Sequence, residues 1–267
     1  MIKAIASDLD GTFLGADGLP SERNLAAVRR AAEVGVRTIF ATGRPFRWLD
    51  VLRPVLDADP LVLASNGAVR YDLHHHEVIS ADLIDPEAAL EVVADIRASD
   101  PKLMLLLELL EGYAADESFP IKDDREHPRV QLSVEEALEK ASPVKLLVLA
   151  PHLDTNALAA EISPLIGERM TPTWSYVTEA GLVEISRAGV SKGSGLATLL
   201  EELSIAPSEV AAFGDMPNDL PMLHLVGYPF RMSEAHPLLH EAGFPEAGDH
   251  GDSGVGRTVE RLLADVW

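Results

Sequence analysis

The chain has 267 residues, of which 47% are hydrophobic and 24% charged, as in ordinary folded domains. Its 43 acidic and 22 basic residues give a formal charge of −21, which disfavours binding to nucleic acid or an anionic membrane. No apolar stretch approaches the roughly 18 residues of a membrane span. The absence of cysteine excludes disulfides and thiolate sites, so any metal must bind to oxygen or imidazole. The first residues lack a secretory signal, and we expect a cytoplasmic location.

The N-terminal part of the chain predicts alternating strands and helices. Apolar runs at residues 2–9, 36–40 and 61–64 have the length of buried strands, and each ends in polar or glycine residues. Between the first two runs, Ser21 is a candidate N-cap of a helix that Gly35 would end. The order strand, helix, strand, helix, strand indicates right-handed βαβ units and a parallel sheet.

The middle of the chain follows a different pattern, which indicates an inserted α+β domain with an antiparallel sheet. Its predicted elements are hairpin pieces at 69–72 and 77–79, helices near 85–98 and 155–166, and strands at 103–107, 144–149 and 182–185. A doubly wound pattern returns with a helix at 192–203, a strand at 210–213 and a final helix near 256–264. We therefore predict a discontinuous core, residues 1–80 and 187–267, interrupted by an insert at 81–186.

Polar residues follow four predicted strands of the core, at the edge where an open parallel sheet binds its ligands. They are Asp8 and Asp10; Thr42 and Arg44; Asn66; and Asp215, Asn218 and Asp219. Each group alone has a plain explanation, because Asp-Gly and Gly-Asp pairs are common in turns. Their shared position at strand ends favours a single site.

Four short motifs resemble those of the haloacid dehalogenase superfamily. They are DLDGT at residues 8–12, TGR at 42–44, SKG at 191–193 and GDMPND at 214–219. Within that superfamily the chain is most similar to the Cof-type hydrolases, which carry a class IIB cap between the second and third motifs. The resemblance implies a doubly wound, Rossmann-like α/β core and an inserted α+β cap. The cap is expected to close over small phosphorylated metabolites, exclude water and select among substrates.

The resemblance also implies roles for the acidic residues. Asp8, the first residue after the buried strand, would be the covalent nucleophile. Asp10, two residues further and on the same side of an extended chain, would act first as general acid and then as general base. Mg2+ would bind Asp8, the backbone carbonyl of Asp10 and Asp215, an oxygen set that leaves room for phosphate and water.

Further roles carried over from the family concern the phosphate. Lys192 would neutralise the transferring group, and Thr42 with the Gly43 amide would hydrogen-bond its oxygens. Asn218 would contact the phosphate or a metal-bound water, with Asp219 at the edge of the metal ligands. Arg44 and Asn66 would contact the substrate or phosphate, or support the residues that do. An exposed arginine at the start of a helix is the alternative interpretation of Arg44.

The resulting hypothesis is a Mg2+-dependent phosphatase that acts through an aspartyl-phosphate. Sugar phosphates are the first substrate class that the resemblance implies, ahead of flavin precursor and pyridoxal phosphates. One alternative is a phosphomutase on the same scaffold, and another is a protein that binds a phosphate ligand for regulation. We expect a monomer or small homo-oligomer whose partner is a small phosphorylated metabolite, with no nucleic acid or membrane partner.

Two polar segments are interpreted as surface features. His74, His75 and His76 could bind a transition metal, but adjacent side chains do not point one way, and a solvated hairpin turn is the favoured interpretation. The acidic segment 123–126, which includes Arg125, is interpreted as a solvated loop.

Overall fold

The structure, a computed structural model, describes residues 2–121 and 129–264, so the segment 123–126 lies outside the described residues. The chain divides into two compact units, Met1–Ser80 with Ser191–Trp267, and Ala81–Val190. The C-terminal boundary of the inserted unit falls after Val190, because the strand Gly181–Arg187 belongs to the sheet of that unit.

Eight strands form the sheet of the first unit. They are β1 (Ala4–Ser7), β2 (Arg37–Ala41), β3 (Leu61–Ala64), β4 (Val69–Asp72), β5 (Glu77–Ala81), β11 (Val210–Gly214), β12 (Tyr228–Met232) and β13 (Glu246–Gly248). Their order across the sheet is β13-β12-β11-β1-β2-β3-β4-β5. All neighbours from β13 to β3 are parallel, whereas β4 pairs with β3 in the antiparallel sense.

The central strand β1 is covered on both faces. Ala4 and Ala6 belong to a buried cluster that includes Leu196 and Leu199, and the intervening Ile5 is also buried. Such continuous burial is typical of parallel strands. Strands β2 and β3 lie on one side of β1, whereas β11, β12 and β13 lie on the other. The topological switch point, where such sheets bind ligands, is therefore between β1 and β11.

Within the described part of this unit, five helices accompany the sheet. They are α1 (Glu22–Glu33), α5 (Lys192–Glu202), α6 (Leu220–Leu225), α7 (Pro237–Glu241) and α8 (Gly254–Ala264). The Ser21 hydroxyl accepts a hydrogen bond from the Asn24 amide and caps α1, as predicted. The helix predicted between β2 and β3 is wrong: 3₁₀ turns cover Phe46–Trp48 and Asp50–Ala58. Pro54 lacks an amide hydrogen and cannot complete an α-helical ladder there.

In its described residues, the inserted unit has a five-stranded antiparallel sheet and three helices. Its elements are β6 (Met104–Leu109), β7 (Gly112–Ala115), β8 (Lys145–Ala150), β9 (Met170–Thr173), β10 (Gly181–Arg187), α2 (Pro86–Ser99), α3 (Val134–Leu138) and α4 (Thr155–Ile166). The strand order is β7-β6-β8-β10-β9. Leu105, Leu146 and Val183 pack with residues of the helices in one apolar cluster. The predicted fold class, a parallel α/β sheet with a separate antiparallel one, is confirmed.

The insert also contains a buried ion cluster on three neighbouring strands. Lys145 Nζ lies 2.6 Å from Glu184 Oε1 and 3.5 Å from Glu108 Oε2. The Ser175 hydroxyl donates to Glu184 Oε2 at 2.6 Å. Burial by itself lowers the pKa of Lys145, but the two carboxylates outweigh it and raise the pKa, so the lysine stays charged.

Within the described residues, no helix is both long and apolar enough to cross a membrane.

Candidate active site

Asp8 lies at the switch point, directly after β1. Its amide donates to the Phe213 carbonyl of β11 at 3.0 Å, which extends the pairing of the two strands by one residue. The side chain is buried. Burial raises the pKa of Asp8 to about 7, although the adjacent Lys192 ammonium acts in the opposite direction.

Lys192 is the cation of this site. It is the first residue of α5, whose N-cap Ser191 accepts a hydrogen bond from the Ser194 amide. Its Nζ donates to Asp8 Oδ1 at 2.5 Å and to Asp219 Oδ1 at 2.7 Å, and the side chain is fully buried. Burial alone lowers the pKa of Lys192, but Asp219 and Asp8 together raise it above its usual value. The lysine is therefore a fixed positive charge.

Asp219 connects Lys192 to the loop after β11. Its Oδ2 accepts hydrogen bonds from the amides of Asp215 and Met216, both at 3.0 Å. The loop can close this tightly because position 214 is glycine: a Cβ there would lie 2.4 Å from Asp219 Cβ. Both oxygens of Asp219 thus have donors, and the residue orients Lys192 and the Asp215 backbone.

Asp215 presents a second carboxylate beside Asp8. The Thr12 hydroxyl donates to its Oδ1 at 2.9 Å, and the His236 amide donates to its backbone carbonyl at 2.7 Å. Burial, together with the negative charges of Asp8 and Asp219, raises the pKa of Asp215 to about 9. The turn after Asp8 must come close to this carboxylate. Gly11 has a φ of +76°, and a Cβ on it would lie 2.4 Å from Asp215 Oδ2.

These carboxylates form a group that could hold a metal ion. Oxygens of Asp8, Asp215 and Asp219 lie within 4.8 Å of one another. Burial is the main cause of the raised pKa values of Asp8 and Asp215, and the neighbouring carboxylates add to it. A hard divalent cation suits such an all-oxygen donor set. Because Asp219 already has donors on both oxygens, Asp8 and Asp215 are the side chains best suited to bind the cation.

Asp10 lies apart from this group and pairs with Arg44. The guanidinium donates from Nε to Oδ2 at 2.7 Å and from Nη2 to Oδ1 at 2.6 Å. The Asp10 side chain is half exposed, whereas that of Arg44 is 24% exposed. This hydrogen-bonded pair raises the pKa of Arg44 above its usual value.

The other candidate residues belong to a hydrogen-bonded network at the carboxyl ends of β2 and β3. The Thr42 hydroxyl accepts from the Arg44 amide at 3.1 Å, and the Thr42 carbonyl accepts from the Asn66 amide at 2.8 Å. Asn218 Nδ2 donates to Asn66 Oδ1 at 3.0 Å. Thr42, Asn66 and Asn218 are all buried, and Gly43 is half-buried. The network joins the ends of β2 and β3 to the loop after β11.

The structure thus brings the predicted residues together in three groups: Asp8, Lys192, Asp215 and Asp219; Asp10 and Arg44; and Thr42, Asn66 and Asn218, with Gly43 beside Thr42 in the chain. Sequence reasoning did not assign a role to Thr12, although it belongs to the first motif. It also did not foresee the pairing of Asp10 with Arg44, which are 34 positions apart.

The three adjacent histidines have different partners in the first unit. His74 Nε2 lies 3.6 Å from Asp59, His75 Nδ1 lies 2.9 Å from Asp72, and His76 Nδ1 lies 3.3 Å from the Tyr71 hydroxyl. The imidazoles therefore do not converge on a common point.

Comparison with known proteins places this site in a family context. A family model described as haloacid dehalogenase-like hydrolase matches residues 5–258. The HMP-PP phosphatase of Klebsiella pneumoniae is 27% identical, and the match covers 94% of this chain and 91% of that protein. The 5-amino-6-(5-phospho-D-ribitylamino)uracil phosphatase of Bacillus subtilis is also 27% identical, and the match covers 100% of both chains.

Solved structures share the fold. BT1666 from Bacteroides thetaiotaomicron, a phosphatase of the haloalkanoate (HAD) enzyme superfamily, matches with a TM-score of 0.80. The two chains are 24% identical, and the match covers 98% of this chain and 95% of the other.

Proposed function

Because the chain belongs to the haloacid dehalogenase-like hydrolase family and is a phosphatase, we propose a specific mechanism for it. The phosphoryl group of a small phosphorylated metabolite is transferred to Asp8, and water then hydrolyses the aspartyl-phosphate. The observation that carries this proposal is the buried Asp8–Lys192 contact of 2.5 Å at the switch point. This contact supports the proposal because a buried carboxylate beside a fixed positive charge is the combination that phosphoryl transfer needs.

In the first step, an Asp8 oxygen attacks phosphorus and the bond to the leaving alcohol breaks. Asp10 donates a proton to the alcohol oxygen as it leaves. The Lys192 ammonium stabilises the charge on the transferring group, while Asp219 holds that ammonium in place. Thr42 and the Gly43 amide, at the end of β2, bind phosphate oxygens.

In the second step, Asp10 removes a proton from water, which attacks phosphorus. The bond between phosphorus and the Asp8 oxygen breaks, releasing inorganic phosphate and restoring both carboxyl groups. One residue can serve in both steps because it ends the first one deprotonated. We propose that Asn218, which donates a hydrogen bond to Asn66, contacts the phosphate or its water.

Mg2+ is the cofactor that we propose for this site. Asp8, the backbone carbonyl of Asp10 and Asp215 would hold it, and it would supply positive charge to the phosphate oxygens. Thr12 and Asp219 orient the Asp215 side chain and backbone for this purpose. The carboxylate oxygens of Asp8, Asp215 and Asp219, which lie within 4.8 Å of one another, support this assignment.

The substrates that we propose are sugar phosphates, with flavin precursor and pyridoxal phosphates as the next classes. All the residues assigned to the chemistry belong to the first unit, so we propose that the insert acts as the cap that selects the substrate. The two relatives act on different phosphorylated compounds, which agrees with a common chemistry and variable selectivity. A cytoplasmic location and the oligomeric state stay predictions.

The test is phosphate release from a panel of sugar phosphates, nucleotides, flavin mononucleotide and pyridoxal phosphate, with Mg2+ and with chelator. We expect release that needs Mg2+ and is lost in Asp8→Asn. Asp57→Asn is the matched control, because Asp57 is exposed and pairs with Arg29. Rapid acid quench and mass spectrometry should detect a phosphoryl group on the peptide that contains Asp8. Full activity in Asp8→Asn, with a folded protein, would rule out the mechanism.

A further inference from the structure

We propose that Arg44 is a positioning residue that acts through Asp10 and does not bind the transferring phosphate. The proposal rests on the assignment of Asp10 as the proton donor and acceptor. It concerns what holds that carboxylate in place, since Asp10 lies on the half-exposed rim of the site and not in its buried centre.

The contact between the two side chains has the geometry of a fork. Nε and Nη2 of Arg44 each bind a different oxygen of Asp10, at 2.7 and 2.6 Å. Two parallel hydrogen bonds fix the plane of a carboxylate as well as its distance, which a single contact cannot do. Among the described residues, Arg44 supplies all the hydrogen bonds that the Asp10 carboxylate accepts.

Arg44 can orient Asp10 because it is itself held at three points. Its amide donates to the Thr42 hydroxyl at 3.1 Å, and its carbonyl accepts from the Ser65 amide at 2.9 Å. Its remaining guanidinium nitrogen, Nη1, donates to the Trp48 carbonyl at 3.4 Å. A group anchored by its backbone and its side chain loses little further freedom when it binds Asp10.

The same geometry argues against a direct role in phosphate binding. A guanidinium grips a phosphate best through two parallel N–H groups. Asp10 already occupies the Nε and Nη2 edge of Arg44, and one N–H of Nη1 donates to the Trp48 carbonyl, so a phosphate could take only the two remaining N–H groups, one on each Nη. The buried Lys192, by contrast, contacts Asp8 directly and supplies the positive charge beside the nucleophile.

A positioning role predicts an effect that depends on the leaving group. An alkyl alcohol is a poor leaving group and needs the proton from Asp10, whereas p-nitrophenolate leaves readily without one. Loss of Arg44 should therefore slow the transfer from alkyl phosphates much more than from p-nitrophenyl phosphate. A phosphate-binding role would affect both substrates equally, because both carry the same phosphoryl group.

The experiment compares kcat/KM for p-nitrophenyl phosphate and for the alkyl phosphate that the substrate panel ranks first. General acid catalysis contributes roughly 10²- to 10⁴-fold, so Arg44→Ala should lower kcat/KM for the alkyl phosphate by about 10- to 100-fold. For p-nitrophenyl phosphate we expect a change below about threefold. Arg44→Lys keeps the charge but loses the fork, and should restore only part of the difference.

A double-mutant cycle tests whether the effect passes through Asp10. In the Asp10→Asn background, Arg44→Ala should cause no further loss, because the group that it positions has lost its acid function. The inhibition constant of inorganic phosphate, measured with Mg2+, should stay within about twofold of wild type in Arg44→Ala. The matched control is Arg23→Ala, which removes a similar fork with Glu260 at 3.0 and 2.6 Å on α1 and α8.

The proposal is overturned if Arg44→Ala lowers kcat/KM equally for both substrates, if it weakens phosphate binding in proportion, or if it leaves both substrates unaffected. Thermal melts of the Arg44 and Arg23 variants separate these outcomes from misfolding. Failure of the proposed function has a different signature, namely turnover by Asp8→Asn. An inactive Asp8→Asn together with a uniform Arg44 effect would overturn the positioning role alone.

Discussion

The Thr12 hydroxyl lies 2.9 Å from Oδ1 of Asp215, 203 positions away in the sequence, and donates a hydrogen bond to it. Thr12 is fully buried. This hydrogen bond favours the ionised form of Asp215, the form that a metal ion requires. In the proposed metal site, a residue that orients a ligand carboxylate in this way affects the affinity for the metal without contacting it.

We therefore expect Thr12→Val to weaken Mg2+ binding by roughly tenfold. Valine keeps the branched shape but leaves Asp215 Oδ1 without its donor. Isothermal titration of Mg2+ measures the effect, and Thr12→Ser, which keeps the hydroxyl, should bind nearly as well as wild type. Equal affinities in Thr12→Val and wild type would contradict this role.

Gly11 and Gly18 offer a matched pair of backbone positions. Both have positive φ, +76° and +75°, so alanine is strained by about 1–2 kcal/mol at each. Only at Gly11 would the new Cβ meet another group, Asp215 Oδ2 at 2.4 Å, whereas nothing lies within 4 Å at Gly18. We expect both variants to lower the melting temperature, but only Gly11→Ala to weaken Mg2+ binding and turnover. Normal Mg2+ affinity in Gly11→Ala would argue against this close approach.

The raised pKa values of Asp8, about 7, and Asp215, about 9, predict how stability depends on pH without metal. Both exceed the ordinary value of 3.8, so the folded protein holds protons that the unfolded chain has released. The free energy of unfolding in chelator should therefore fall as pH rises from about 4 to 9. Calorimetric melting at several pH values measures this trend.

Two further measurements test whether Asp8 and Asp215 cause this pH dependence of stability. Asp215→Asn removes one of the two titrations, so its melting temperature in chelator should fall less steeply with pH than that of wild type. Stabilisation by Mg2+ should grow with pH, because the cation binds the ionised carboxylates. A melting temperature in chelator that rises between pH 5 and 9 would contradict the predicted sign.

The ion cluster of the insert predicts a large effect on stability. Lys145→Met removes the positive charge between Glu184 and Glu108 and leaves two buried carboxylates together. Breaking a buried ion pair in this way costs about 3–5 kcal/mol. Urea unfolding measures the loss, and Lys140→Met, an exposed position in the same unit, should change stability by less than about 0.5 kcal/mol. A loss as small as that of the control would show that the cluster contributes little.

Hydrophobic patterning predicted the central elements of the fold. The apolar run at 61–64 coincides with β3, and Ser21 does cap α1. Strands β12 and β13 were missed because their signal is weak: β12 contains Pro229, and β13 has three residues. Strand β9, four residues with a proline at position 172, was missed for the same reason. Short strands near the edge of a sheet are stabilised more by pairing with neighbouring strands than by the strand propensity of their own residues.

The sequence predicted those site residues whose position is determined by the parallel topology of the sheet. Strand ends meet at one edge of such a sheet, and Asp8 and Asp215 lie together there for this reason. Local pattern does not determine which side chains pair across that edge. Lys192 could have bound either Asp8 or Asp219 and binds both, and Arg44 turns to Asp10. Such pairings depend on tertiary packing.

The order of synthesis gives the discontinuous first unit a further consequence. The insert is one continuous segment with an antiparallel sheet of neighbouring strands, so it can fold as soon as residue 190 has left the ribosome. The first unit cannot, because β1 is flanked by β11, whose residues are made only after the whole insert. Until then the edge of β1 is open and Asp8 lacks Lys192, its compensating charge, 184 positions away. During synthesis one edge of β1 is therefore exposed to pairing with other chains, although the insert has already been completed.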